Sequence, residues 1–96
     1  MEIKKLNKII YWNIKPIDGW LYISSPIMEA ELPFNIKRSL VKEFKEIENI
    51  IKSKKLKGWI CYTSIFNLHI MKMFTKVGAI PYKIEQDNLW FKKDLK

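Results

Sequence analysis

The side chains able to carry chemistry in this sequence are few and far apart. His69 has no second histidine or cysteine at ligand spacing, so it reads as a satisfied or exposed histidine rather than a metal ligand or catalytic base. Cys61 lies between Ile60 and Tyr62 in an apolar run, where a thiol behaves as an inert core group. As the one cysteine of the chain it makes no internal disulfide, which fits a reducing compartment. Glu85, Asp87 and Asp94 fall near a turn or the C-terminal end and read as solvated. Tyr62 and Tyr82 are the hydroxyls that remain for a general-acid role, although aromatics in such strand-like stretches more simply half-fill a core. There is no Ser-His-Asp order, no zinc spacing and no glycine loop to cradle a phosphate.

The elements that would position these groups are legible from periodicity. Ile10, Trp12 and Ile14 alternate with Tyr11, Asn13 and Lys15, predicting a strand with one buried face within about residues 3 to 15. "PIDG" (16 to 19) predicts a turn, and "GWLYISSP" a second strand antiparallel to the first. Leu40, Val41, Phe44, Ile47, Ile50 and Ile51 recur at spacings of three and four, with Lys42, Glu43, Lys45, Glu46 and Glu48 between them. That pattern predicts an amphipathic helix of about four or five turns. "GWICYTS" (58 to 64) echoes "GWLYISS" (19 to 25), and the two strands are expected as neighbours in one sheet. A second helix is expected from Ser64 or Ile65 to Val77, ended by Gly78 at the C′ position. "AIPYKI" and "NLWFKKDL" then flank "EQDN", a hairpin turn. The expected order is β-β-α-β-α-β-β in a single domain over residues 1–96: an α/β (α+β) fold with a mostly antiparallel sheet of about five strands and two packed helices.

Composition bounds the partners. The formal charge of +8 suits acidic partners such as nucleic acid or an anionic cofactor. The lysines are spread along the chain, however, and the densest group, Lys52, Lys54, Lys55 and Lys57, falls where cations complement the end of the first helix. No apolar run approaches the ~20 residues of a membrane span, and "MEIKKLNKIIYWN" lacks the features of a signal peptide. No membrane partner and a cytoplasmic location are the expectation. The mixed Glu and Lys of the long helix also speak against an anionic lipid surface.

"GWICYTS", then Asn67, a helix, Lys76, Gly78 and "IPY" before a terminal strand resemble the C-terminal half of a GNAT-type N-acyltransferase. The more specific part covers about residues 58 to 93, and the flavour is that of the small, divergent GNAT-like proteins of bacteriophages. The resemblance implies acetyl-CoA as cofactor, with Asn67 contacting it and Lys37 and Arg38 offering cations to its phosphates. Two departures stand against the chemistry. No glycine lies between Gly19 and Gly58, so the pyrophosphate loop is replaced by "SPIMEAELPFNIKRS" with Glu29 and Glu31. The family's general-acid tyrosine aligns with Phe74, which has no proton to give. Ninety-six residues also leave no room for the family's usual first strand and two helices.

The leading expectation is a degenerate, non-catalytic GNAT-like protein, phage or mobile-element encoded, that needs no cofactor and binds a macromolecular partner such as a host enzyme or defence complex. One alternative is an acetyl-CoA-dependent N-acyltransferase acting on an amine, with Tyr82 or Tyr62 as acid. Another is an RNA-binding module. "KGWICY" matches an aromatic RNA-binding strand only at Lys57, Gly58 and Trp59, and the element order is not that of an RRM. Trp20 and Trp59 would stack on bases if exposed, with burial the simpler expectation for each. A homodimer is compatible with all three.

Overall fold

The structure, a computed structural model, describes residues 3–6, 11–24 and 37–96, with side chains described for residues 15–24 and 41–96. Its elements run β1 (Ile3–Leu6), β2 (Tyr11–Ile17), β3 (Trp20–Ser24), α1 (Lys37–Ser53), β4 (Gly58–Ser64), α2 (Leu68–Lys76), β5 (Ile80–Glu85) and β6 (Asn88–Asp94). The strands form one sheet in the order β1-β2-β3-β4-β6-β5, five strands plus the short edge strand β1. All neighbours are antiparallel except β3 and β4, which run parallel with α1 between them in the chain.

This is the expected small α+β domain with a mostly antiparallel sheet and two helices, but with one more strand than the sequence pattern suggested. The segment read as a single first strand is two, β1 and β2, paired from Ile3↔Ile14 to Leu6↔Tyr11. Pairing the segment with itself satisfies backbone groups that one long edge strand would leave open. The turn in "PIDG" is also tighter than expected. Pro16 and Ile17 stay in β2, opposite Leu21 and Trp20, and only Asp18 and Gly19 turn. Both have positive φ, 52° and 85°, the conformation a two-residue primed turn requires. Pro16 is tolerated there because the β1 pairing stops at Ile14, so its missing N–H costs no ladder bond on that side. Gln86 and Asp87 make the matching two-residue turn between β5 and β6, at φ of 52° and 62°.

The helix ends follow one design with different residues. At the end of α2, Ala79 N–H donates to Phe74 O (2.9 Å) and Gly78 N–H to Thr75 O (3.0 Å), with Gly78 at φ 96°. At the end of α1, Leu56 N–H donates to Ile51 O (3.1 Å) and Lys55 N–H to Lys52 O (3.3 Å), with Lys55 at φ 58°. Both are Schellman closures; Gly78 was readable as one and Lys55 was not. The start of α2 is later than expected because Ser64 remains in β4, paired with Asn88. Phe66 N–H donates to Ser64 Oγ (3.2 Å), and Asn67 becomes the N-cap residue.

Both helices lie on one face of the sheet. Leu21 and Ile23 of β3, Trp59 and Cys61 of β4 and Phe91 of β6 meet Phe44, Ile47 and Ile51 of α1 and Ile70, Met73 and Phe74 of α2 in one buried cluster. Phe74 is its hub, with ring centroids 5.4 Å from Phe44, 5.7 Å from Trp59 and 5.0 Å from Phe91. α1 buries Phe44, Ile47 and Ile51 as its periodicity required. Two of its interspersed acids are not on a solvated face, however. Glu43 is buried, and Glu48 Oε2 accepts from Trp59 Nε1 (3.0 Å) and Lys93 Nζ (2.8 Å). That carboxylate ties α1 to β4 and β6 at once.

Candidate functional site

The other face of the sheet carries no helix among the described residues, and its residues follow from strand alternation. Where Leu21 and Ile23 point into the core, Trp20, Tyr22 and Ser24 point away. On β4 the outward residues are Gly58, Ile60 and Tyr62, and on β6 they are Trp90, Lys92 and Asp94. Register places them in rows. Lys15, Tyr22, Ile60, Lys92 and Ile80 form one row across five strands, and Trp90 and Lys83 share the next. Trp20 sits opposite Gly58, one row the other way. The ideal position of a Cβ on Gly58 is 3.0 Å from a Trp20 ring atom, so the missing side chain is what lets the indole lie down on β4.

The face is therefore an aromatic floor bordered by ammonium groups. Tyr62 and Trp90 are in ring contact at 4.6 Å and 35°. Lys92 Nζ is 4.4 Å from the Trp20 centroid, and Lys83 Nζ is 4.6 Å from that of Trp90. Both distances are within cation–π range. Trp20, Tyr22, Tyr62 and Trp90 are half-buried, and Tyr82 is 44% exposed. Two shallow hollows open on this floor. One, of about 340 Å³, is lined by Lys15, Ile17, Tyr22, Ser24, Tyr62 and Trp90. The other, of about 380 Å³, is lined by Trp20, Gly78, Ile80, Tyr82, Lys92 and Asp94.

The residues singled out from sequence fall in different places. Tyr62 and Tyr82 share the open face but line different hollows. Partial desolvation raises the Tyr82 phenol above its ordinary value, with Lys83 opposing that rise. Lys83 is itself raised, chiefly by its hydrogen bond to Glu85, 3.1 Å away. Asn67 is fully buried, its Nδ2 donating to Thr63 Oγ1 at 3.0 Å and its backbone oxygen accepting from Ile70 and Met71. Lys37 and Arg38 begin α1, with side chains outside the described ones. Residues 25–36, most of the segment that the resemblance would set at a phosphate-binding loop, lie outside the described residues as well. Cys61 is fully buried and its thiol is pushed far up by desolvation. Phe74 is wholly in the core. Among the described residues no three His, Cys, Asp or Glu side chains gather as a metal site, and no helix is long and apolar enough to cross a membrane.

Sequence reasoning raised Trp20 only as a conditional stacking residue and did not single out Trp90, Lys83 or Lys92. A signal was present. "WLYIS" sets Trp20 and Tyr22 on one parity against Leu21 and Ile23 on the other, and "LWFKK" sets Trp90 against Leu89 and Phe91, which means that one set of each strand must leave a one-sided core. Compared with protein-family models, curated proteins and solved structures, the chain matches none.

Proposed function

We propose that the protein is a non-catalytic binding module that engages a macromolecular partner through the sheet face that no described helix covers. The observation that carries this reading is the floor of Trp20, Tyr22, Tyr62, Tyr82 and Trp90 on a face that no described helix covers. Aromatic side chains supply the largest contact energy per residue at interfaces. The full burial of Phe74 and Asn67 supports the non-catalytic half, because neither offers an atom to a bound cofactor. A GNAT-like ancestry is part of the proposal. It is supported by the strand–helix–strand unit of β3, α1 and β4 and by the closing β5–β6 hairpin.

The test is photo-crosslinking in native cells, with a benzophenone amino acid in place of Ile17 or Tyr82 on the open face, or Ile84 on the helix side. A discrete adduct from the first two positions and none from Ile84 is the expected result. Adducts from Ile84 alone would sink the reading.

One observation favours a second reading, an acetyl-CoA-dependent N-acyltransferase. The β3–β4 pairing ends at Ile23↔Cys61 while β4 continues to Ser64, and Tyr62 lines the hollow beside that point with Lys15 and Ser24. An amine attacking a thioester there needs orientation and an oxyanion-stabilising donor more than it needs a dedicated acid. Calorimetric titration with acetyl-CoA decides it: saturable micromolar binding abolished by Tyr62→Phe supports this second reading, and no heat eliminates it.

A further inference from the structure

Resting on the proposal that the open face is the binding surface, we infer that its partner is single-stranded nucleic acid, whose bases stack on Trp20 and Trp90 and whose phosphates meet Lys15, Lys83 and Lys92. The chemistry of the patch separates this partner from a protein. Protein interfaces centre on aromatics but are depleted of lysine, because a strongly hydrated ammonium is costly to dry. Here the ammonium of Lys92 on β6 sits over the Trp20 ring and that of Lys83 on the edge strand β5 over the Trp90 ring, so charge is mixed with the aromatics, and each ammonium swings from its ring to a phosphate as a base takes its place. A polyphosphate chain accepts those charges while remaining wet, and each contact releases a condensed counterion. The net charge of +8 favours the same partner at long range.

Geometry selects the single strand. A duplex groove is entered by a protruding helix or ribbon, whereas this surface is a sheet face whose aromatics can meet only bases that are already unstacked. Trp20 is level with Gly58 and Asp94, and Trp90 lies four residues back along β6 with β4 between. Standard strand dimensions then separate the two Cα atoms by roughly 14 Å along the strands and about 10 Å across them, with the Trp20 indole leaning over β4 toward β6. That span fits several nucleotides laid obliquely over the floor, with Tyr62 in ring contact with Trp90 to widen one platform. Lys15 and Lys92 lie in one register row, and Lys83 lies in the next beside Trp90. The ammoniums thus flank the track between the two platforms. Asp94, by the Trp20 hollow, and Glu85, paired with Lys83, mark where a phosphate would be repelled.

The test is fluorescence anisotropy of a labelled mixed-sequence 12-nucleotide RNA and its DNA counterpart, each single-stranded and annealed to its complement, across a salt series. Single strands are expected to bind saturably and at least about tenfold more tightly than the duplexes. Trp20→Ala and Trp90→Ala should each weaken binding by roughly 5- to 150-fold, the range of one lost stack. Lys92→Gln and Lys83→Gln should each flatten the salt dependence by about one unit of slope or slightly less. Lys42→Gln, on the exposed side of α1, should change neither. Trp20→Phe keeps a stacking ring, so retained binding by that variant, with an unchanged melting curve, excludes misfolding as the cause of the alanine result.

Equal affinity for duplex and single strand, or alanine variants that bind as wild type, would overturn the inference in favour of a general polyanion surface. Failure of both nucleic acids to bind overturns it too. Crosslinking at Ile17 and Tyr82 then tells the two levels apart. A nuclease-resistant protein adduct leaves the binding face standing with a different partner, and no adduct removes both.

Discussion

Trp20 and Trp59 open strands of nearly the same spelling, GWLYISS and GWICYTS, that lie side by side in the sheet, yet they occupy opposite faces. Trp59 is fully buried between α1 and α2, and Trp20 lies half-exposed on the open floor. The cause is a one-residue slip. Trp20 pairs with Gly58, and Leu21 pairs with Trp59. Side-chain direction has a period of two, so a slip of one reverses every assignment. Each register is the one that pays off locally. On β3 the aliphatic pair Leu21 and Ile23 has the parity of the core, and Trp20 and Tyr22 tolerate half-exposure. On β4 the indole N–H of Trp59 finds Glu48 on α1, so it enters the core without an unpaired donor. A motif read as a repeat would have assigned both tryptophans to one role.

That contrast can be broken, beginning with the largest effect. Trp59→Ala should cost about 3–5 kcal/mol, leaving a cavity against Phe44 and Phe74, and chemical denaturation will register the loss. Next is Gly58→Ala, expected to cost about 3 kcal/mol. The new Cβ would run into the Lys93 carbonyl, which is backbone, and would also lift the Trp20 indole. The same denaturation curves read the stability loss, and a changed Trp20 environment would appear in the emission of a Trp20-only variant.

Third is Glu48→Ala, which strands the Trp59 N–H and the half-buried Lys93 ammonium for about 2 kcal/mol. Glu48→Gln, which keeps an acceptor for the indole, should lose less; equal losses would mean that the indole bond contributes nothing.

A fourth effect comes from Cys61, which shares the core-facing parity of Trp59. Its folded pKa is raised by burial, while a free thiol titrates near 8.5. Its contribution is therefore complete below about pH 8.5. It falls as pH rises, because the unfolded chain gives up its proton and the folded one does not. The slope approaches about 1.4 kcal/mol per pH unit from that one group. Cys61→Ser should remove that slope, and thiol-reagent labelling of the native protein should proceed only through opening of the core, reaching the unfolding rate as a limit at high reagent concentration.

The smallest effect on stability is expected from Trp20→Ala, under about 1 kcal/mol, within the range of substitutions outside a core. Its affinity loss is the larger one. A stability loss matching that of Trp59→Ala would show that the two tryptophans are energetically alike and that the open floor is part of the fold.

Much of the scaffold was legible in single residues. The spacing of Phe44, Ile47 and Ile51 marked the buried stripe of α1, Gly78 marked the end of α2, and both hairpins fell within "PIDG" and "EQDN", each turning only at two of the four residues. These are local effects, set by a helical period or a positive φ. Lys55 in the left-handed region escaped notice because a lysine carries no turn signal, and only the closing bonds to Ile51 and Lys52 hold it there. The late start of α2 escaped for a similar reason. Whether Ser64 ends a strand or begins a helix depends on Asn88, 24 positions on, which pairs with it. The candidate face was hidden more completely. Lys83, Trp90 and Lys92 share the β5–β6 hairpin, but Trp20 comes from β3, far away in the chain, and no local spacing rule connects it to them.

By itself, then, the sequence determined that there are two helices and two hairpin turns, where most of the core of α1 lies, and that no ready-made phosphate loop of glycines exists. Those properties depend on neighbours a few residues apart. Only the tertiary structure decided which tryptophan is core and which is surface, that Glu48 is a buried clamp, and that lysines from two strands gather over an aromatic floor. Each of these depends on strand register and on which helix lies above a given face. Register is a long-range pairing in which one residue of slip inverts the outcome, so near-identical words in the sequence acquire opposite meanings in the fold.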